Sequence, residues 1–189
     1  ILRINSDGTI PTDNPFYSST TGDSRAIYAL GVRNPFKMTK QPGTDRILFA
    51  DVGSALWEEV NELRRGGNFG WSLSEGPTST LGHTTPLFAY SHTVGEPTGC
   101  SATGVAFYNP PAPTFPSTYV GDIFVADYCK AWIGILDASS GANTYTKLVT
   151  GPKPVDRETG PDGALYYLER ENSGRVMKIT YTGTAIPTI

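Results

Sequence analysis

The sequence predicts an all-β fold, a partial β-propeller of about three four-stranded antiparallel blades, from three observations. Glycine (21 residues) and proline (15) are frequent among the 189 residues, while charged residues make up only 17%. This composition is typical of short strands joined by tight turns. Apolar, strand-like segments recur along the chain, and they group into units of roughly 40 to 50 residues, the length of a propeller blade.

Two kinds of segment repeat. The first is an apolar stretch that runs into a polar turn, at residues 1–8, 132–141 and 175–183. The second opens with Asp or Gly and continues through apolar or aromatic residues, at 45–53, 121–129 and 162–168. Both kinds are typical of buried strands. Residues 1–8 have no segment of the second kind before them, so we expect them to be the last strand of a blade.

Three blades cannot close a ring, because closed propellers have four or more. We therefore expect one incomplete domain over residues 1–189. Its open strand edges would be covered by a missing N-terminal half or by self-association.

Two segments need a choice of secondary structure. Residues 58–65 (EEVNELRR) could form a short helix, but Gly66 and Gly67 follow at once and the β-branched Val60 lies inside, so we expect a strand. Residues 26–36 (AIYALGVRNPF) are expected to form an apolar strand that ends at Arg33 and Asn34, just before Pro35.

Charge and hydropathy exclude two classes of partner. The formal net charge is −3, and basic residues cluster no further than the pair Arg64-Arg65, so nothing indicates binding to a phosphate backbone. No stretch approaches the ~20 apolar residues of a membrane span.

The two cysteines, Cys100 and Cys129, are too few for a zinc framework and lack CxxC spacing. A disulfide is the favoured interpretation, and two buried free thiols are the alternative. A disulfide would indicate an oxidising compartment, secreted or periplasmic.

Two groups of residues could carry chemistry. Arg33 can bind a carboxylate with two hydrogen bonds, and Asn34 can donate and accept, which suits an acidic, carbonyl-rich ligand; the alternative is that the pair fixes the turn before Pro35. Calcium prefers oxygen ligands, which Gly53, Ser54 and a nearby glutamate can provide. A Glu58-Glu59 pair is, however, more often a solvated strand face.

The order of several short motifs resembles the glucose/sorbosone dehydrogenase family over nearly the whole chain. These motifs are DG at 7–8, NPFY at 14–17, GVRNP at 31–35, DVG at 51–53, WEEVN at 57–61, GNFGW at 67–71, GCS at 99–101, FYNP at 107–110, ADYC at 126–129 and GPDG at 160–163. The family includes sugar dehydrogenases that depend on pyrroloquinoline quinone, and non-enzymatic hedgehog-interacting proteins. The resemblance implies a six-bladed propeller, of which this chain is the C-terminal portion.

The resemblance also implies site residues. The quinone contacts fall on Arg33, Asn34 and Lys130. The backbone carbonyls of Gly53 and Ser54 match those that hold a calcium ion beside the quinone. Glu59 and the carbonyl of Phe69 match a second, structural calcium site. The catalytic base of the enzymes is a His upstream of the Arg-Asn-Pro motif, so no residue of this chain is assigned that role.

Three residues depart from the family pattern. Phe36 stands where the enzymes carry Gln, and Lys153 and Val155 replace two arginines that face the quinone. His83 and His92 lie downstream of the pocket motifs, and a lone loop histidine is more often solvated than catalytic. The sequence therefore predicts part of a sugar dehydrogenase that is inactive by itself. The alternative is a non-catalytic secreted propeller that binds carbohydrate or a protein.

Overall fold

The chain folds into three antiparallel β-sheets that follow one another in sequence. The computed structural model describes residues 1–77, 82–142, 144–171 and 173–183. The first sheet contains β1 (Pro35–Lys40), β2 (Ile47–Asp51), β3 (Trp57–Glu62) and β4 (Phe88–Ser91). The second contains β5 (Ala102–Phe107), β6 (Ile123–Asp127), β7 (Trp132–Leu136) and β8 (Tyr145–Thr150), and the third β9 (Pro154–Thr159), β10 (Leu165–Glu169) and β11 (Arg175–Ile179).

Within each sheet, strands that are consecutive in sequence are hydrogen-bonded neighbours, which is the up-and-down arrangement of a propeller blade. The predicted all-β partial propeller is thus confirmed, with one difference of detail. Blades 1 and 2 have four strands, and blade 3 has three within the described residues. Short 3-10 turns lie at Gly22–Ala26, Ser117–Tyr119 and Ala138–Ser140. In the described ranges no helix is long and apolar enough to cross a membrane.

The blades stack through two apolar clusters, one at each blade interface. Leu48 and Val60 of blade 1 pack with Val105 of blade 2 in the first cluster. Ile133 of blade 2 packs with Leu165 of blade 3 in the second. The first strands of the blades lie side by side, since β5 contacts both β1 and β9. This arrangement places the loops that follow each second strand at the same end of the molecule.

The strand predicted within residues 58–65 is confirmed as β3, which pairs with β2 and β4. The strand predicted at residues 1–8 is wrong. Leu2 forms only an isolated bridge with Ile27. The strand predicted at residues 26–36 is also wrong before Pro35, because Tyr28 donates to the carbonyl of Ile1 while Leu30 donates to that of Gly67. Because these N–H groups donate to two separate segments, they do not form the continuous hydrogen-bond ladder of a strand.

Arg157 is an unexpected charge at the interface of blades 2 and 3. It is only 2% exposed, and its Nη2 donates to the Gly104 carbonyl while its Nε and Nη1 have no partner. Burial lowers the pKa of Arg157 to about 9. A Cβ at position 104 would lie 2.5 Å from Nη2, so only glycine leaves room for this side chain.

Candidate functional site

A buried aspartate fixes the turn that carries Arg33 and Asn34. The Arg33 N–H donates to Asp51 Oδ2 at 3.0 Å, and the Asn34 N–H donates to Asp51 Oδ1 at 2.6 Å. The Val52 N–H returns a bond to the Asn34 carbonyl at 3.0 Å. Burial raises the pKa of Asp51, against the opposing effect of the two N–H donors. The turn is therefore held by its backbone, and both side chains are exposed.

The Arg33 guanidinium lies directly on the predicted calcium loop. Its Nη1 donates to the carbonyls of Val52 at 2.9 Å and Gly53 at 2.7 Å, and its Cζ lies 5.6 Å from the Trp71 ring centroid. Two predicted site residues, Arg33 and Gly53, are thus in contact. The carbonyl that was expected to bind calcium instead accepts a hydrogen bond from a cation.

Two carboxylates hold the loop itself. The Gly53 N–H donates to Glu58 at 3.3 Å, and the Ser54 and Leu56 N–H groups donate to Glu75 at 2.7 and 3.0 Å. Partial burial acts to raise the pKa of Glu75, but the several backbone donors outweigh it and lower that pKa. A Cβ at Gly53 would lie 1.6 Å from the Trp57 carbonyl oxygen. Glycine at this position is required by the close approach of two backbone segments.

Glu59 faces a small cavity lined also by Asp51, Glu75 and Phe69. Glu59 is 8% exposed, so the solvated strand face suggested for the glutamate pair is wrong. Burial raises the pKa of Glu59, and the negative charges of Asp51 and Glu75 add to that effect. Its carboxylate accepts from the Gly76 N–H at 2.7 Å and from Asn61 Nδ2 at 3.0 Å.

The cavity has the oxygen donors that a hard cation requires. Three carboxylates line it, and Asn61, which is fully buried, has an Oδ1 without a hydrogen-bond partner. Within the described ranges, no three His, Cys, Asp or Glu side chains are grouped so that they alone could hold a metal ion. A cation here would need backbone or amide oxygens as well, which is common for calcium. The carboxylates around Glu59 fit such an ion. The Gly53 carbonyl already accepts a hydrogen bond from Arg33.

Within the described residues neither histidine is hydrogen-bonded to the Arg33 turn, but their partners Glu58 and Ser74 lie beside the predicted calcium loop and its cavity. His92 Nε2 lies 2.8 Å from Glu58 Oε1, and His83 Nδ1 lies 2.9 Å from Ser74 Oγ. Glu58 is fully buried and also accepts from the Ala102 N–H at 2.7 Å, so it ties blade 1 to blade 2. The His92 contact belongs to this structural link.

Cys100 and Cys129 form a disulfide with a Cα–Cα distance of 5.6 Å, which confirms the favoured interpretation. Asp127 organises the same loop by accepting from the N–H groups of Cys100, Ser101 and Lys130 at 2.9, 2.8 and 2.7 Å. The Lys130 residue is exposed. Across the described residues, no hydrogen bond or ion pair joins it to the Arg33 turn.

The three residues that depart from the family pattern lie in different surroundings. Phe36 is 49% exposed. Lys153 Nζ lies 2.7 Å from a Glu171 carboxylate oxygen and 5.8 Å from the Tyr128 ring centroid, and Val155 is half-buried. Lys153 is therefore already paired with an acidic side chain.

Sequence reasoning missed Asp51, Asp127 and Glu75, which position the loops. A signal for the two aspartates was present, because β2 and β6 both end in Ala-Asp after an apolar run. Nothing in the sequence around Glu75 indicated that its carboxylate would meet the Gly53–Leu56 loop.

Comparisons with known proteins agree with this architecture. Residues 1–178 match the family described as Glucose / Sorbosone dehydrogenase. Aldose sugar dehydrogenase YliI of Escherichia coli is 29% identical over 192 residues, which cover 95% of this chain and 50% of that protein. The chain thus spans half the length of that relative, and it spans 44% and 29% of two other curated relatives.

Solved structures share the fold. A glucose dehydrogenase crystal structure superposes with a TM-score of 0.78 at 23% identity, covering 96% of this chain and 54% of the other. The PQQ-bound aldose sugar dehydrogenase of Streptomyces coelicolor superposes with a TM-score of 0.72 at 19% identity, covering 94% and 50%. With a family match over nearly all of its length and the same blade architecture, this chain belongs to the glucose/sorbosone dehydrogenase family.

Proposed function

We propose that this chain forms one side of the pocket of a sugar dehydrogenase that transfers hydride from an aldose or related pyranose to pyrroloquinoline quinone with calcium assistance. The observation that carries the proposal is the Arg33-Asn34 turn, which Asp51 fixes beside the Gly53 carbonyl. Because the turn is anchored through its backbone, the exposed Asn34 side chain and the Arg33 guanidinium, once it leaves the Val52 and Gly53 carbonyls, can meet an acidic, carbonyl-rich ligand. Family membership supports this ligand class.

The residues have separate roles in this proposal. Arg33 binds a carboxylate of the quinone, Asn34 orients one of its carbonyls, and Lys130 adds a positive charge from the neighbouring blade. The carbonyls of Gly53 and Ser54 hold calcium next to the quinone. A quinone held by Arg33 and Asn34 would supply a hydride acceptor, and a calcium ion held by the Gly53 and Ser54 carbonyls would supply Lewis-acid polarisation.

A second calcium would stabilise the loops rather than take part in chemistry. Glu59 and the Phe69 carbonyl would hold it in the cavity lined also by Asp51 and Glu75.

The general base is expected outside this sequence. His92 is bonded to the buried Glu58 and His83 to Ser74, so neither is assigned that role. The chain alone would then bind quinone and cation without oxidising sugar. A secreted or periplasmic setting is supported by the Cys100–Cys129 disulfide.

Further blades, or a second copy of the chain, would complete the assembly. Leu168 and Val176 lie opposite each other on β10 and β11 and are 44% and 69% exposed. Adjacent apolar side chains on an open blade face favour a covering partner.

Absorbance titration with pyrroloquinoline quinone in excess calcium tests the proposal. We expect saturable binding that Asn34→Ala weakens about tenfold, as loss of a hydrogen bond to a charged ligand does. Asn5→Ala, which removes the side-chain bond to Thr9 in an exposed turn, should leave binding unchanged. Sugar should not bleach the bound quinone. An unchanged spectrum at high micromolar quinone would refute the proposal.

The alternative is a non-catalytic propeller that binds carbohydrate or a protein. It is favoured by Lys153, whose amine is engaged by Glu171, and by the replacement of two expected arginines. A glycan-array signal combined with no quinone binding would establish this alternative.

A further inference from the structure

We propose that Arg33 is a built-in competitor of the divalent cation: the guanidinium holds the Gly53 carbonyl in the free protein, and a cation binds there only after Arg33 leaves. This inference rests on the part of the proposed function that places calcium at Gly53. It adds that an anionic ligand which attracts Arg33 also opens the cation site, so the two ligands bind cooperatively.

The distances make simultaneous occupation unfavourable. Arg33 Nη1 lies 2.7 Å from the Gly53 oxygen and 2.9 Å from the Val52 oxygen. Calcium binds carbonyl oxygens at roughly 2.3 to 2.6 Å. A divalent ion on the Gly53 oxygen would therefore stand within a few ångströms of the guanidinium charge, where repulsion is strong.

Arg33 can move without unfolding the turn. Its backbone N–H is bonded to Asp51, so displacement of the side chain leaves that anchor intact. Among the described residues no carboxylate lies within ion-pair distance of the Arg33 guanidinium, although Arg33 lines the same cavity as Asp51 and Glu75. The Trp71 ring centroid lies 5.6 Å from its Cζ. Its hydrogen bonds to two neutral carbonyls are weaker than the pairing that an anion offers.

The carbonyls themselves are fixed. The Gly53 N–H is bonded to Glu58, and the Ser54 N–H to Glu75, while the Trp57 carbonyl oxygen lies close against Gly53. The mobile partner in the contact is thus the arginine side chain.

Terbium(III) alone, in place of calcium and without quinone, tests the competition. Its luminescence is sensitised by nearby tryptophan, and Trp71 lies beside the site. We expect Arg33→Gln to bind terbium about tenfold more tightly than the wild-type chain, because a charge-assisted competitor is removed. The matched control is Arg65→Gln, which deletes another exposed arginine that donates to a backbone carbonyl, that of Asp13.

Equal affinities for wild type and Arg33→Gln would overturn the inference. An equal gain in terbium affinity in Arg65→Gln would also overturn it, because the gain would then come from the change in net charge alone. Repeating the pair of measurements in a Glu59→Gln background locates the ion. Gly53 and Glu59 line one small cavity, so the background separates its two sides. A gain that persists shows that Arg33 competes for an ion bound without Glu59, and a gain that disappears shows that the ion depends on Glu59 and refutes competition at the Gly53 carbonyl.

Cooperativity is tested separately with calcium by calorimetry. Saturating quinone should tighten calcium binding to the wild-type chain about tenfold more than it tightens binding to Arg33→Gln, in which only direct contact between quinone and calcium remains. Tightening of equal size in both proteins would refute the coupling. If quinone does not bind at all, the proposed function fails, while the terbium result still decides whether Arg33 competes with a cation.

Discussion

Blades 1 and 2 each have an aspartate at the end of the second strand, but the two aspartates lie in different surroundings. Asp51 closes β2 opposite Pro35 of β1, and Asp127 closes β6 opposite Ala102 of β5. Each carboxylate accepts the two N–H groups just before the first strand of its own blade. In both blades the carboxylate therefore accepts hydrogen bonds from backbone N–H groups that have no partner in the sheet.

The surroundings of the two aspartates differ. Asp127 is fully buried, accepts a further bond from Tyr90 Oη at 3.1 Å, and lies beside the Cys100–Cys129 disulfide. Asp51 lies among other carboxylates and beneath the exposed Arg33 side chain. The blade 2 loop is therefore built for rigidity, whereas the blade 1 loop exposes the Arg33 side chain of the proposed ligand site.

Blade 3 lacks this device. Glu169 stands at the end of β10, and its carboxylate pairs with Arg175 of the neighbouring strand instead. Only the first two blades thus share the aspartate, and the comparison between them can be tested by matched substitutions.

Removal of the disulfide should have the largest effect on stability, and blade 1 has no equivalent bond. Replacing both Cys100 and Cys129 by alanine frees a loop with a sequence separation of 29. The chain-entropy model gives a loss of about 3.5 kcal/mol in the free energy of unfolding. Urea unfolding of the variant and of the wild-type chain measures it, and coincident curves would show that the bond does not stabilise blade 2.

Asp127→Asn should follow with a loss of roughly 3 kcal/mol, because at least one buried N–H then faces an amide NH₂ instead of an acceptor. The matched control is Asp137→Asn, which alters a carboxylate that accepts from Ser139 in an exposed turn. We expect the control to unfold within about 0.5 kcal/mol of wild type. A small effect at both positions would contradict the structural role of Asp127.

Much of the fold could be predicted from the sequence, because propeller blades repeat. Segments at 45–53 and 121–129 contain β2 and β6 with the same closing Ala-Asp. The N-terminal strands were predicted wrongly since their segments have strand-like composition, and only the tertiary structure decides that Leu2 pairs with Ile27 alone.

The candidate site was harder to predict than the fold. Motif order identified Arg33 and Gly53, but not that they touch each other. That contact depends on a side-chain conformation and on a loop held by Glu75 from a distant segment. Local patterns carry no information about either, and the same applies to the burial of Glu59.

Asp51→Asn should have the smallest effect and is the sharpest test of the comparison. One of its two accepting oxygens becomes an NH₂ group that opposes a backbone N–H, which costs free energy. The same change removes a negative charge that raises the pKa of Glu59, which offsets part of the cost. We expect a net loss of about 1 kcal/mol, well below that of Asp127→Asn.

Ligand binding should reverse the order of the two aspartate variants. Asp51→Asn loosens the backbone of the Arg33 turn and removes a carboxylate from the cavity, so it should weaken quinone and cation binding. Asp127→Asn alters the loop that carries Lys130 but no proposed cation ligand, so it should leave cation binding unchanged once the protein is folded. Urea unfolding and terbium titration of the same samples measure both properties. If the two variants lose equal stability and bind terbium equally well, the comparison fails. Asp51 and Asp127 would then have the same role, which is to accept backbone N–H groups.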